Sequence, residues 1–348
     1  MSALNRIAYL DTTAADQALA LKMYSGIFQE AWRQSTYLWD SSIGVIARQT
    51  VDSGKSFQFL QMADSPPAEE FTPGDEMLGQ AYAVAEGTIT VDGYLVAHKA
   101  VPRDQMKIGH FDILPKLAKG NARVIGQRYD KRLFSLACQA ARASASTKNG
   151  LTVHNGGNRV TRTGGAVATA YPASATGAAN LRADLRTLAR RMDEDNIPNG
   201  KGQRLLWLRP DMREVLLYDT TAQVFSFDYQ SGNSISERTL VNLEGFEIVD
   251  FPNTVTNGGP FPDSNVTTDA FSKYNANFSI GASNGTPVAL ALCSGPDSQA
   301  AVGVVTFESV QHVVKYVEEK LSWLVFSFVL VGAGQLSPYC AGSVEVIT

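Results

Sequence analysis

Two short glycine motifs, four histidines, three cysteines and one acidic triplet are the residues whose types and spacing bear on chemistry. Val51-Asp52-Ser53-Gly54-Lys55-Ser56 ends like a phosphate-binding loop, but G-x-x-x-x-G-K-[ST] needs glycine where Gln49 stands. It also needs a helix after Lys-Ser, whose N-terminal amides hold phosphate, and Phe57-Gln58-Phe59-Leu60 reads as a strand. A hairpin turn is the expectation. Gly281-Ala282-Ser283-Asn284-Gly285 matches the G-x-S-x-G nucleophile elbow, with Asp297 and His312 following in an admissible order. That elbow requires a strand before the serine and a helix after it. Here a half-apolar NANFSI precedes it and a strand-like TPVALAL follows, so a turn-rich loop is expected. His98, His110, His154 and His312 show no H-x-H or HExxH spacing, and Cys138, Cys293 and Cys340 are isolated, so no metal site is expected. Asp193-Glu194-Asp195 reads as a solvated turn at a helix end. No catalytic residue, metal or cofactor is expected.

The charge map carries more. From Ser56 to His98 there are seven acids (Asp64, Glu69, Glu70, Asp75, Glu76, Glu86, Asp92) and no Lys or Arg. From Lys99 to Arg142 ten basic residues, among them Arg123, Arg128, Lys131 and Arg132, face three aspartates. A segment of charge −7 therefore adjoins one of +7. Separated charge steers partners and fixes register more than it adds affinity. Neutralisation within one chain, pairing of the acidic segment with a neighbouring subunit, and a basic surface facing nucleic acid all remain open.

These charges need elements to hold them. Residues 1–16 read as a loose arm, and Ala20, Tyr24, Ile27, Phe28 and Ala31 give a helix over 17–32 one apolar face. Residues 43–62 read as two strands around Asp52-Ser53-Gly54. With the turn-rich 63–77 and the alternation through Thr88–Val91, residues 43–95 resemble a long hairpin with an acidic tip. An isolated hairpin is marginal in water, so this one needs a surface to lie on. Ala118, Ala122, Ile125, Tyr129, Leu133, Leu136 and Ala140 make a stripe that predicts a helix from Pro115 to about 143, roughly 43 Å long. Gly120 and Gly126 interrupt it at a cost of ~1 kcal/mol each relative to Ala. Residues 148–180, rich in Gly, Ser, Thr and Asn, are expected to be a long loop. Leu181, Leu185, Leu188 and Met192 predict another helix. RLLWL, FEIVDF, PVALAL, VVTFESVQHVVKYV and SVEVI read as strands, and Pro210 opens a short helix. Leu321–Gly334 is apolar over 14 residues, short of the ~18 a membrane helix needs, and reads as a buried strand ended by its glycines. Helices and strands alternate without a strict βαβ rhythm, which gives the class α+β.

The chain has 348 residues, enough for two or three domains or one large irregular one. Hydrophobic residues make up 44% and charged residues 18%, the latter below the usual ~25%; such a surface suits a protein covered by copies of itself. A net charge of −4 excludes a strongly basic coating protein, though not a local basic patch. Three scattered cysteines indicate a reducing compartment rather than a disulfide framework. The N-terminus lacks a signal-peptide apolar run, and a soluble cytoplasmic protein is expected.

The order of parts resembles the major capsid protein of tailed bacteriophages, more narrowly of the short-tailed, T-seven-like group. The resemblance rests on ALALKMYSGIFQEAWRQST (18–36), SGKSFQFL (53–60), TPGDEM (72–77), ITVDGYLVAHKAVPRDQM (89–106), FEIVDFPNT (246–254) and GAGQLSPYCAGSVEVI (332–347). The sequence departs from that family at QMADSPPAEEF (61–71), where a Gly-Arg-containing segment is usual. The resemblance implies the Hong Kong 97-like fold. Residues 1–36 would be an N-arm, 37–95 an extended loop lying across a neighbour, 96–147 with 301–348 a peripheral domain carrying a spine helix, and 148–300 an axial domain. It further implies a non-enzymatic subunit that assembles into hexamers and pentamers of an icosahedral shell around double-stranded DNA. The precursor shell expands on packaging, and Gly120 and Gly126 become candidates for a spine-helix hinge. Implied partners are a scaffolding protein, a portal, packaged DNA on the inner surface and a cement protein, with no membrane. Assembly in the host cytoplasm and residence in the virion follow. The contact candidates between subunits are Asp64, Glu69, Glu70, Asp75 and Glu76 on one side and Arg123, Arg128, Lys131 and Arg132 on the other. A hydrolase using Ser283 and a monomeric binding module are the other functions considered.

Overall fold

The computed structural model describes residues 45–62, 84–91, 93–103, 113–148, 151–199, 202–218, 242–249, 284–295 and 299–347, with single positions at 27, 28, 30, 31, 38, 70, 76, 79 and 261. Two sheets share one core. The first is four-stranded, in the order β1 (Ile46–Thr50), β12 (Val302–Val317), β13 (Ser322–Gln335), β4 (Leu95–Pro102). The second is six-stranded, in the order β7 (Asn158–Thr163), β14 (Ala341–Ile347), β11 (Thr286–Cys293), β8 (Arg204–Leu208), β10 (Phe246–Val249), β9 (Asn242–Leu243). Two ribbons, β2 (Ser56–Met62) with β3 (Val84–Thr90) and β5 (Ser146–Lys148) with β6 (Leu151–His154), complete the strands. The class is α+β, as expected.

Helix α1 (Ile113–Arg142) spans both sheets. Its apolar stripe is buried throughout: Ala118, Ala122, Ile125, Tyr129, Leu133, Leu136 and Ala140 are each 2% exposed or less. It starts two residues before Pro115 and runs unbroken through Gly120 and Gly126. Helix α2 (Val167–Ala170) is a single turn. In α3 (Ala175–Glu194) the Ser174 hydroxyl accepts a hydrogen bond from the Gly177 amide and caps the helix, while Leu181, Leu185, Leu188 and Met192 are fully buried. Pro210 opens α4 (Pro210–Leu216) at its first position.

The pairing corrects four expectations. First, β1 does not pair with β2; it runs parallel to β12, Ile46 opposite Val302 through Thr50 opposite Thr306. The hairpin proper is β2–β3, with Ser56 opposite Thr90 and Met62 opposite Val84. Second, residues 148–180 are not a loop. They supply β6, β7, α2 and the start of α3, because β7 finds a ladder on β14, Gly342 opposite Asn158. Third, β14, expected with the peripheral stretch 301–348, lies between β7 and β11 in the second sheet. Fourth, the glycines do not end β13. Gly332 and Gly334 stay in the strand and, with Gly303 of β12, leave a flat patch on which β3 lies. A Cβ on Gly303 would sit 2.7 Å from Ile89, one on Gly332 2.6 Å from Val91, and one on Gly334 2.9 Å from Ile89.

That patch orders the layers. Successive strand residues point to opposite faces. Val302 and Val304 join the core shared with α1, whereas Val305 packs with Ile89 and Leu336 in a separate cluster. The base of the β2–β3 hairpin therefore lies on the face of the first sheet opposite α1.

The helical face expected over 17–32 is represented by positions 27, 28, 30 and 31, which are helical; Phe28 is fully buried, against His312 of β12 at 4.4 Å between rings. The rest of that segment lies outside the described residues.

Candidate functional site

The residues weighed for catalysis do not converge. His98 is exposed on β4, His154 is on the β5–β6 ribbon, and His312 is half-buried on β12 with Nδ1 3.0 Å from the Ser327 hydroxyl. Burial pushes the His312 imidazole down to about 4. Ser283, Asp297 and His110 lie outside the described residues. After Lys55 comes a strand, not a phosphate-binding helix, and Gly54 bends the chain at φ +108°. Among the described residues no three His, Cys, Asp or Glu side chains gather as metal ligands. The three thiols are free and buried, and burial raises all three, Cys340 to about 12.

Asp193-Glu194-Asp195 stands at a solvated helix end, with the side chains of Asp193 and Glu194 58% and 64% exposed, and two of its carboxylates also make ties. Asp193 accepts from Arg204 at 2.6 Å, and Asp195 accepts from Asn155 at 3.0 Å and Asn158 at 2.8 Å, tying the end of α3 to the second sheet.

A larger tie escaped the sequence reading altogether. Glu345, in β14 and 0% exposed, accepts from Arg142 Nε at 2.9 Å and Arg159 Nε at 2.8 Å, while the Ser343 hydroxyl donates at 3.0 Å. The same guanidiniums donate to the carbonyls of Gly285 at 2.9 Å and Asn284 at 2.7 Å. This clasp fastens the C-terminal end of α1, β7, β14 and the entry to β11 together. Its signal in the sequence was a lone Glu inside the apolar run SVEVI. A similar fork binds Glu244, where Arg182 and Arg186 meet it at 2.8 and 3.0 Å. Burial alone would raise Glu244, but the hydrogen bonds from Arg186 and Arg182 hold it below its usual value. Glu244 and Gly245, both at positive φ, form the tight turn of the β9–β10 hairpin.

The proposed contact residues separate. Asp64, Glu69 and Asp75 lie outside the described residues; Glu70 and Glu76 are exposed. Arg123 is exposed on α1. Arg128 and Lys131, with Leu95, Val96, Val124, Ile125 and Gln127, line a groove of about 430 Å³ between α1 and the edge strand β4. Arg132 leaves the set. It is 5% exposed, and its Nη1 donates to the Val331 carbonyl at 3.5 Å, because its place in the stripe points it at the sheet. Gly120 has a local reason of its own: a Cβ there would sit 3.0 Å from Lys99 Nζ, so the missing side chain lets Lys99 of β4 reach across the helix.

The two faces of the first sheet differ. Val325, Val329 and Val331 are buried in the core shared with α1, and Trp323, also buried, packs against Tyr316. Leu324, Phe326, Phe328 and Leu330 point the other way, toward the hairpin side, and are only half-buried. Beside them Tyr94 and Val96 are 50% and 49% exposed, with the Tyr94 ring edge-on to Phe328 at 5.5 Å. In β2 none of residues 56–61 is buried, and Leu60 is 68% exposed. An apolar band and a hairpin with bare sides thus lie on the same side of the sheet. Burying such surface yields ~25 cal/mol per Å², and patches of this kind mark contact sites. The geometry is that of an interaction surface.

Comparison with known proteins agrees. A family model described as "Gp10A-like: Major capsid protein" matches residues 59–345. In fold, the chain is similar to the capsid of the cyanophage P-SCSP1u, with a TM-score of 0.70, 21% identity, and 87% of this chain and 86% of that one covered. It is also similar to the mature capsid of bacteriophage PhiM1, with a TM-score of 0.68, 17% identity and the same 87% and 86% coverage. A virus-like particle from Pyrococcus furiosus aligns at a TM-score of 0.50 and 11% identity over 93% of this chain and 99% of that one. No curated protein matches the chain in sequence.

Proposed function

The chain belongs to the Gp10A-like major capsid protein family, and from that premise we propose how its surfaces build a shell. It is a shell-forming subunit of a phage virion with the Hong Kong 97-like fold. The proposal is that the β2–β3 hairpin of one subunit lies across the apolar band of the next, and that its acidic tip meets Arg123, Arg128 and Lys131 there. Repetition of this contact gives the hexamers and pentamers of an icosahedral shell. The observation that carries the reading is the half-buried row Leu324, Phe326, Phe328 and Leu330 beside exposed Val96 and Tyr94, on the side to which a hairpin is attached whose residues 56–61 are none of them buried. A monomer leaves both surfaces wet.

The remaining parts of the proposal follow from the family. The subunit is non-enzymatic and needs no cofactor. It assembles in the host cytoplasm around a scaffolding protein with a portal, encloses double-stranded DNA, accepts a cement protein where one exists, and expands as the genome enters. Among the described residues no helix is long and apolar enough to cross a membrane. The proposed partition is 1–36, 37–95, 96–147 with 301–348, and 148–300, with β1 and β14 lending strands across those boundaries. Gly126, buried in α1, is the proposed hinge of the spine helix, whereas Gly120 already has a packing reason in Lys99.

Electron microscopy of the purified protein tests the reading. Wild-type protein should form closed shells. Deletion of residues 62–80, or Phe326→Asp with Phe328→Asp, should leave folded subunits that do not. Normal shells from both variants would overturn the hairpin-on-neighbour contact.

A further inference from the structure

Two of the three free thiols meet beneath the C-terminal end of α3. In the β11–β14 ladder Ala291 stands opposite Gly342 and Leu292 opposite Ala341. The next rung sets Cys293 against Cys340, just before β14 begins. Their side chains share a face. Successive strand residues alternate between faces, and α3 marks which is which: a Cβ on Gly342 would meet Met192 Cε at 2.5 Å, and the Cys293 thiol lies 3.4 Å from Met192 Sδ. The Cys340 thiol is there too, since a Cβ on Gly295, two residues beyond Cys293, would sit 2.7 Å from Cys340 Sγ. On its other side Cys293 faces Arg204 of β8. Both thiols are free and 0% exposed. Cys138 stands apart from this row: it belongs to α1, which meets β14 through Arg142 and Glu345 on the sheet's other face.

From this placement we infer that Cys293 and Cys340 are a latent disulfide pair, reduced while the chain folds and closed by a small oxidant once the protein has left a reducing compartment. Directly opposed residues of an antiparallel pair have Cα atoms about 4.5–5.5 Å apart, inside the roughly 4.4–6.8 Å that a disulfide spans. Closure asks each side chain to turn: Cys293 leaves Met192, and Cys340 gives up its hydrogen bond to the Gln299 carbonyl at 3.7 Å. Burial governs the timing. It raises both thiols, Cys340 to about 12, and only the thiolate attacks. The Arg204 guanidinium draws Cys293 part of the way back, which makes Cys293 the first to react. Hydrogen peroxide, small and neutral, is the class of oxidant that enters such a core. The Cys293 thiolate takes one peroxide oxygen, and the departing hydroxide leaves as water with the thiol proton. The Cys340 thiol then attacks the sulfenic sulfur and a second water leaves, so two thiols and one peroxide become one disulfide and two waters. The chain between the two cysteines carries β12 and β13. The bond therefore ties the first sheet to the second across a long loop, where a cross-link restricts the unfolded chain most.

The test exposes the folded full-length subunit to hydrogen peroxide, alkylates its remaining thiols in denaturant without reductant, and maps the peptides by mass spectrometry. Wild type should lose two of its three free thiols to a single linked peptide joining Cys293 to Cys340, with Cys138 alkylated. Its urea midpoint should rise on oxidation and return when dithiothreitol is added. Cys340→Ser, which keeps the size of the side chain and removes the thiol, should show neither the link nor the rise. Peroxide applied in urea supplies the reference, in which all three cysteines pair without preference. Three alkylated thiols after treatment of the folded protein, a bond that includes Cys138, sulfinic acid at either position, or a link that leaves the urea midpoint unchanged would each overturn the inference.

Discussion

Replacing Glu345 by Gln separates the clasp from ordinary packing. The carboxylate is fully buried, while the side chains of its partners Arg142 and Arg159 retain 16% and 27% exposure. Gln preserves volume and can accept from one guanidinium, but its amide faces the other donor to donor. Hydrogen bonds to charged groups are worth ~1.5–3 kcal/mol each, and breaking a buried pair costs ~3–5 kcal/mol. Partial water access to both guanidiniums places the expected loss at the low end, about 3 kcal/mol. Urea unfolding of subunits kept dilute enough to remain unassembled measures it, with an unchanged m-value showing that the exposed surface is the same. Arg142→Met with Arg159→Met and Glu345→Leu should recover most of the loss, because an apolar trio of similar bulk avoids desolvating charge. A loss below about 1 kcal/mol for Glu345→Gln would refute the premise that the ends of α1, β7 and β11 are held by charge rather than by their apolar neighbours.

Two further outcomes are expected. His312 stays neutral in the fold down to about 4, whereas the unfolded chain takes up its proton near ~6.5. Above that value it costs nothing, and between it and 4 stability falls as pH falls, by about 1–2 kcal/mol after discounting for a half-exposed ring. His312→Gln should flatten that part of the curve; an equally steep curve would mean that another group carries it. Gly332→Ala would place a Cβ 2.6 Å from Val91 and 3.1 Å from the Thr90 carbonyl, so β3 must lift from its patch at a cost of ~1–3 kcal/mol. Limited proteolysis should then cut within the hairpin while β12 and β13 stay protected, and an unchanged digestion pattern would show that the sheet absorbs the methyl.

What was legible in the sequence was local. The stripe of α1 and the apolar, β-branched run of β13 are local signals, and both elements stand within two residues of their expected starts. The charge split also needed nothing beyond counting. What was hidden depends on partners far along the chain. β1 sits beside β2 in sequence, yet its ladder is with β12. The Gly- and Thr-rich stretch 148–180 has weak intrinsic preference, and pairing with β14 makes β7 a strand. Glycine at 332 and 334 reads as a stop until Ile89 and Val91 are seen above it. Among the site residues, Arg123 and Arg132 look alike in sequence; only the helix phase, one turned to solvent and one to the sheet, tells them apart.

The distribution of these ties bears on how a subunit can be both firm and adaptable. Charge clasps gather at the second sheet: Glu345 with two arginines, Glu244 with two, and Arg204 with Asp193. They surround a strand, β8, whose five residues are all buried. The hairpin side of the first sheet is held instead by a small apolar cluster around Ile89, Val305 and Leu336. Apolar contact is non-directional, so the hairpin can tilt on its glycine patch without breaking any of those charge clasps. If the subunit fits both five- and six-fold surroundings, as proposed, it needs its adjustable contact where the energy is least dependent on angle. The glycines of β12 and β13 put it there, and the clasps keep the opposite end of the molecule from following.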